Sequence, residues 1–167
     1  LISTEKTKYD YETYIVNDSL SELKGTLKLK TIDFYGKEIW SNTKEVVVKA
    51  NSSQKVYHIP QVNIDTKRFV YVIEFNNSKS FYFFDKPKNL VLPKGEISKK
   101  ITKTKEGFSI TLQSNVLQKD VFLFTKQKGH FSDNFFDLLP NEKKTIFFET
   151  KESLNNLIIK SLNQINL

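Results

Sequence analysis

Apolar residues in this chain arrive in short aromatic and β-branched bursts, each cut off by turn formers, and that rhythm points to strands throughout. The composition agrees. There are 14 Phe and 7 Tyr against a single Ala, Ala50, so strand formers dominate and the best helix former is nearly absent. "YETYIVND" (residues 11–18) opens the series. In "GTLKLKTIDFYGKEIW" (25–40), Leu27 and Leu29 share one face, while Ile32 and Phe34 fall in the opposite phase. Strand side chains repeat every second residue, so this slip predicts a bulge near Lys30 or Thr31. "YGKE" then reads as a turn, with Gly36 free to take positive φ.

"KEVVVKA" (44–50) and "KVYHIP" (55–60) are the next pair, split by the polar turn "NSSQ". "RFVYVIEF" (68–75) alternates, with Phe69, Tyr71, Ile73 and Phe75 on one face. "NNSK" is a hairpin signal, and "SFYFF" returns. "DKPKNLVLPKGE" (85–96) carries two prolines, a glycine and no period, and reads as a linker. A second series follows: "EISKKITKT", "GFSITLQSN", the apolar "DVFLFTKQ" and "KTIFFET". The closing "NLIIKSLNQI" (156–165) is a near tie. Leu154, Leu157, Ile158, Leu162 and Ile165 suit a helix, while the paired isoleucines and the asparagines suit a strand. The expectation is an all-β chain of two small β-sandwiches in tandem, residues 1–86 and 87–167. Each half is near the lower limit for a sandwich with its own core.

The net charge is +7, but 25 of the 26 basic residues are Lys and the sole Arg is Arg68. The lysines are spread out, and bidentate base reading relies on Arg, so nucleic acid is not an expected partner. With no Cys, disulfides and thiolate metal sites are excluded. No apolar run approaches the ~18 residues that span a bilayer, so no membrane insertion is expected. The chain has no Met and starts at Leu1, which reads as a piece of a longer polypeptide. The favoured compartment is periplasmic or extracellular in a bacterium.

The stretch "GHFSDNFFDLLPNEKKTIFFET" (129–150) poses the sharpest question about chemistry. It sets Phe131, Phe135, Phe136, Phe147 and Phe148 among Asp133, Asp137, Glu142 and Glu149. Glycosidic cleavage needs two carboxylates about 5–10 Å apart on a rigid frame. Asp133 and Asp137 are the available pair, but they fall in a loop with no flanking His or Arg. The expected reading is a sandwich corner. Phe131 and Phe135 or Phe136 point into the core, Leu138 or Leu139 seals its end, Asp133 accepts backbone N–H bonds, and Pro140 ends the loop. On the strand that follows, Ile146 and Phe148 face one side and Phe147 the other, towards a neighbouring domain. His58 and His130 are expected at strand edges. Ring stacking on a sugar would draw on Trp40, Tyr9, Tyr35, Tyr57 and Tyr82. Asn17, Asn51 and Asn76 begin Asn-x-Ser sequons. No catalytic, cofactor-binding or metal-binding residue is assigned, and no cofactor.

"YIVNDSLSELKGTLKLKTIDFYGKEIWS" resembles the immunoglobulin-like domain that follows the catalytic barrel in β-mannosidases of glycoside hydrolase family two. The shared features are "VND", the "GTL" strand and "DFYGK". "HFSDNFFDLLPNEKKTIFFET" resembles the final immunoglobulin-like domain of the same enzymes: an aromatic, "SDN", "FF", "LLP" and an acidic turn before a strand. The resemblance covers nearly the whole chain in the family's order. It implies two immunoglobulin-like sandwiches, non-catalytic, supporting a barrel that carries two catalytic glutamates outside this sequence. The implied partners are that barrel and the N-terminal domains of the same parent, with the parent's oligosaccharide substrate close by. It also implies that "NLIIKSLNQI" is a closing strand. A carbohydrate-binding pair with its own affinity for mannan is the alternative.

Overall fold

The computed structural model describes residues 1–61 and 65–165. Their regular structure is strand and short 3-10 turn, so the expected all-β class holds. The chain divides into two compact units. One comprises Leu1–Asp33 and Lys37–Leu90, the other Phe34–Gly36 and Val91–Leu167.

The first unit contains β1 (Ile2–Lys6), β2 (Asp10–Asn17), β3 (Leu23–Asp33), β4 (Glu38–Val48), β5 (Ser52–Pro60), β6 (Phe69–Phe75) and β7 (Ser78–Phe83). They form one sheet of order β1-β2-β5 and another of order β4-β3-β6-β7. The register of β3 against β4 shifts between Thr31 and Ile32, but the extra residue is Ile39 of β4. β3 runs in continuous register against β6, so the slip expected near Lys30 or Thr31 is not a bulge in this strand, and Ile32 is buried on the face opposite Leu27 and Leu29. The chain then turns through Gly36, at φ +90°. Asp33 fastens this turn, its carboxylate accepting the Lys37 amide at 2.9 Å. β6 and β7 form the hairpin, with Asn76 left-handed at φ +52°. Tyr11, Ile15, Leu27, Leu29, Tyr71 and Ile73 lie at the centre of the core. Across the two sheets Thr13 Oγ1 donates to the Tyr71 hydroxyl at 3.3 Å.

Three details differ from expectation. β1 falls in "ISTEK", a mixed polar stretch without a clear period, and forms because β2 pairs it residue for residue. The 44–50 and 55–60 strands follow one another but do not pair, since β5 crosses to the sheet of β2. In β6, Val70 and Val72 are as buried as Tyr71 and Ile73, so the strand is enclosed on both faces.

The second unit contains β8 (Ser98–Lys103), β9 (Gly107–Gln113), β10 (Gln118–Phe124), β11 (His130–Phe131), β12 (Phe136–Leu138), β13 (Lys143–Glu149) and β14 (Ile158–Lys160). Its sheets have the orders β11-β13-β9-β8 and β12-β10-β14. Ile110, Leu112, Val121, Leu123, Ile146 and Phe148 centre its core. β10 is apolar on both sides but enclosed on only one: Val121 and Leu123 point in, while Phe124 is 45% exposed.

The tail resolves as a short strand followed by a 3-10 turn, Leu162–Gln164. Neither a helix nor the full expected closing strand forms. Polar bonds hold it. Asn163 donates to the carbonyls of Pro93 and Leu117 at 2.8 and 2.7 Å and accepts the Lys119 amide at 2.9 Å. Ser161 Oγ donates to the buried Gln118 at 2.6 Å.

Candidate functional site

The 129–150 stretch is built as a corner. β11 pairs β13, β12 pairs β10, and the residues between cross from one sheet to the other. Phe131 stacks on Phe148 with centroids 4.5 Å apart, and Phe136 belongs to the core. Leu138 and Leu139 are both buried. The tight turn after Pro140 passes through Asn141 at φ +63°, and β13 follows. Ile146 and Phe148 are buried while Phe147 is 52% exposed on the other side.

Asn134, rather than Asp133, shapes the crossing. Its Nδ2 donates to the Leu123 carbonyl at 2.9 Å and its Oδ1 accepts the Leu123 amide at 2.8 Å. The side chain thus stands in for a missing strand neighbour of β10. The same Oδ1 accepts the Phe135 amide, and Phe135 is left-handed at φ +58° and 67% exposed. Asp133 accepts the amide of Asn134 and pairs with Lys144 at 2.6 Å.

Asp137 sits in different surroundings from Asp133. The register of β10 breaks between Gln118 and Val121, where Asp120 is left-handed at φ +49°. The Asp120 amide donates to the Asp137 carboxylate at 3.0 Å, and Lys119 Nζ bridges Asp120 and Asp137 at 2.6 and 3.0 Å. Burial pushes the Asp137 carboxyl up, outweighing the Asp120 amide and the Lys119 charge. Burial opposes the Lys119 ammonium, but its two carboxylate partners raise its pKa overall. Each of the two proposed carboxylates is occupied by its own lysine. Asp137 staples a bulge, and Asp133 anchors a loop; the arrangement holds the corner in shape.

The ring candidates do not form a platform. Trp40 and Tyr57 meet at 5.6 Å and 43°, and both pack against the first core. Tyr82 is wedged against Tyr11 and Phe84. Tyr9 and Tyr35 are exposed at separate turns. His58 and His130 lie on the edge strands β5 and β11, His58 Nδ1 being 3.8 Å from Asp10. Asn17 is buried, its Nδ2 donating to the carbonyls of Ser21, Val48 and Lys49, so that sequon is closed to a glycan. Among the described residues no His, Cys, Asp or Glu cluster could hold a metal, and no helix is long and apolar enough to cross a membrane.

What the sequence reading missed is a phenylalanine face on the outside of the second unit. Phe122 stacks on Phe124 at 6.3 Å and lies 5.0 Å from Phe135. β10 faces β14 in the register Phe122 to Lys160 and Phe124 to Ile158, which adds the half-exposed Ile158 to the same face. A depression of about 530 Å³, lined by Phe122, Phe135, Leu162 and Ile165 among others, continues the patch. Contiguous exposed aromatics of this kind have the chemistry of a contact surface or a ligand groove. The signal was present in "DVFLF", but an apolar run alone does not say whether both faces are inside.

Comparison with known proteins supports both halves. A family model described as a mannosidase Ig/CBM-like domain matches residues 10–89, and a mannosidase Ig-fold domain model matches residues 92–165. The crystal structure of a β-D-mannosidase from Dictyoglomus thermophilum superposes with a TM-score of 0.81 at 20% identity. The alignment covers 96% of this chain and 21% of that one, so the chain spans about a fifth of the length of that enzyme. No curated protein sequence gives a significant match.

Proposed function

The chain belongs to the mannosidase immunoglobulin-like domain family, with one such domain in each half, and from that premise we propose that it is the non-catalytic C-terminal part of a β-mannosidase-like glycoside hydrolase. Its role is to support the catalytic barrel of its parent, which is a retaining β-mannosidase. The observation that carries this reading is the Phe122, Phe124 and Phe135 face. Phe offers apolar area without the polar tip of Tyr or Trp, and suits contact with protein better than contact with a sugar. The four fifths of the matched enzyme that lie outside the alignment are the natural source of a covering surface. Division of the chain at residues 86/87 is part of the same proposal.

The test uses the 167-residue chain itself. Aryl β-mannosides should not be turned over, because Asp133 and Asp137 are each engaged by a lysine. Mannobiose and mannotriose should give no binding heat. Binding of a fluorescent apolar dye should fall sharply in the triple variant Phe122→Ser, Phe124→Ser, Phe135→Ser. Sugar binding that disappears on Trp40→Ala would instead favour the carbohydrate-binding alternative.

A further inference from the structure

Consecutive side chains of a regular strand point to opposite faces. β10 departs from that rule at its break. Gln118 lies opposite Leu138 and Val121 opposite Phe136, and between them Asp120 is left-handed at φ +49°. The side chains of Lys119 and Asp120 meet there, and both residues reach Asp137 of β12. Lys119 Nζ lies 2.6 Å from Asp120 Oδ1 and 3.0 Å from Asp137 Oδ1. The Asp120 backbone N–H donates to the same Asp137 oxygen at 3.0 Å. The Lys119 and Asp137 side chains are only 12% and 11% exposed. An amine is thus held against a carboxyl group at about the 3–3.5 Å from which a bond can form. A second carboxylate stands ready to move protons, and a backbone donor polarises the oxygen under attack.

We propose that Lys119 and Asp137 join through an isopeptide bond, formed once in each molecule after it folds, with Asp120 as the proton carrier. The Lys119 ammonium gives up two protons in turn. Asp120 accepts each and passes it to Asp137 Oδ2, and burial favours the neutral acid that the first transfer makes. The freed lone pair on Nζ attacks the Asp137 carboxyl carbon, and the displaced electron pair collects on Oδ1, facing the Asp120 N–H. That pair then re-forms the carbonyl as Oδ2 leaves as water. One N–C bond forms, one C–O bond breaks and one water is released, with no oxidant or other reagent consumed. Both carboxylates hold Lys119 as the ammonium, so the first transfer is slow and the reaction is a single maturation event. The product closes covalently the gap in the β10–β12 ladder. This inference does not rest on the role proposed for the phenylalanine face.

The experiment is intact-mass spectrometry of the full chain made by cell-free translation. A sample quenched at once into urea should have the mass of its sequence. The same product left to fold should come to weigh one water less. Trypsin should then fail to cut after Lys119 and should release a branched peptide joining Lys119 to Asp137. Lys119→Arg keeps the charge but lacks the amine, and should keep its full mass. Asp137→Asn should lose one ammonia in place of the water. Asp120→Asn should slow the loss about hundredfold or more, the usual contribution of a placed proton carrier. The proposal is overturned if the folded wild-type chain keeps its full mass, or if the quenched chain is already lighter. It is also overturned if Lys119→Arg loses the water too, or if the branched peptide joins Lys119 to Asp120. The comparison of folded and quenched wild type decides by itself, whether or not each variant folds.

Discussion

Asn134 does at the scale of one side chain what a strand neighbour does for a backbone, donating to and accepting from Leu123. Asn134→Ala leaves both Leu123 groups without that partner in a part-buried place, and should cost about 1–3 kcal/mol by urea unfolding. The adjacent phenylalanines separate structure from surface. Phe136 is in the core and Phe135 is outside it. Phe136→Ala should therefore lose about 3–5 kcal/mol, whereas Phe135→Ala should stay within about 1 kcal/mol of wild type. If Phe135→Ala proved the costlier of the two, the corner would be misassigned. Tyr71 supplies a pH signature. Burial pushes its phenol well above the ordinary value, with the Thr13 bond acting the other way. The unfolded chain then ionises first, so this contribution is complete below about pH 10 and is lost as pH rises further. Tyr71→Phe should flatten that alkaline fall in thermal midpoint relative to wild type.

At the scale of elements, bulges and turns decide where side chains point. The extra residue Ile39 in β4 shifts its register against β3, while β3 stays in step with β6 and buries Ile32 on the face opposite Leu27 and Leu29. In β10 the break lies on the strand itself, at Asp120, and the charged staple of Lys119 and Asp137 closes over it. The β8–β9 connection ends on a glycine that closes against β13. Gly107 has φ +145°, and a Cβ there would lie 2.0 Å from the Phe148 carbonyl oxygen. That combination admits only glycine, and the neighbour in the way is β13 backbone. Gly107→Ala should cost at least about 2 kcal/mol, measured by denaturant midpoint. A near-neutral result would mean that this end of the β9–β13 ladder is loose.

At the scale of the whole molecule, the proposed division of labour is the testable quantity. The segment between the two strand series holds a 3-10 turn at Pro87–Asn89, with exposed Lys86, Lys88 and Lys94. If residues 1–86 and 87–167 are separate domains, brief trypsin treatment should cut first after Lys88 and Lys94, the Lys86–Pro87 bond being refractory to trypsin, and leave two resistant pieces. Early cleavage inside β3 or β9 would count against the division.

The strand periods, the hairpin at Asn76 and Asn77 and the alternation on β13 were legible from residue order, because each is a local consequence of side-chain period or turn chemistry. The change of phase after Leu29, by contrast, reflects burial of both faces of β3 and not a bulge in it. The family was legible too, through "VND", "GTL", "DFYGK" and "SDNFFDLLP". What only the tertiary structure decided is which apolar residues remain outside. Phe124 and Phe135 differ from Phe136 and Phe148 in burial, not in chemistry. Burial depends on which sheet a strand joins, as β5 and β12 show by crossing, and partner choice is set by chain segments distant in sequence. The same is true of Asn134 and Asn163. Both look like ordinary turn residues until the fold brings Leu123, Pro93 and Leu117 within reach of their amides.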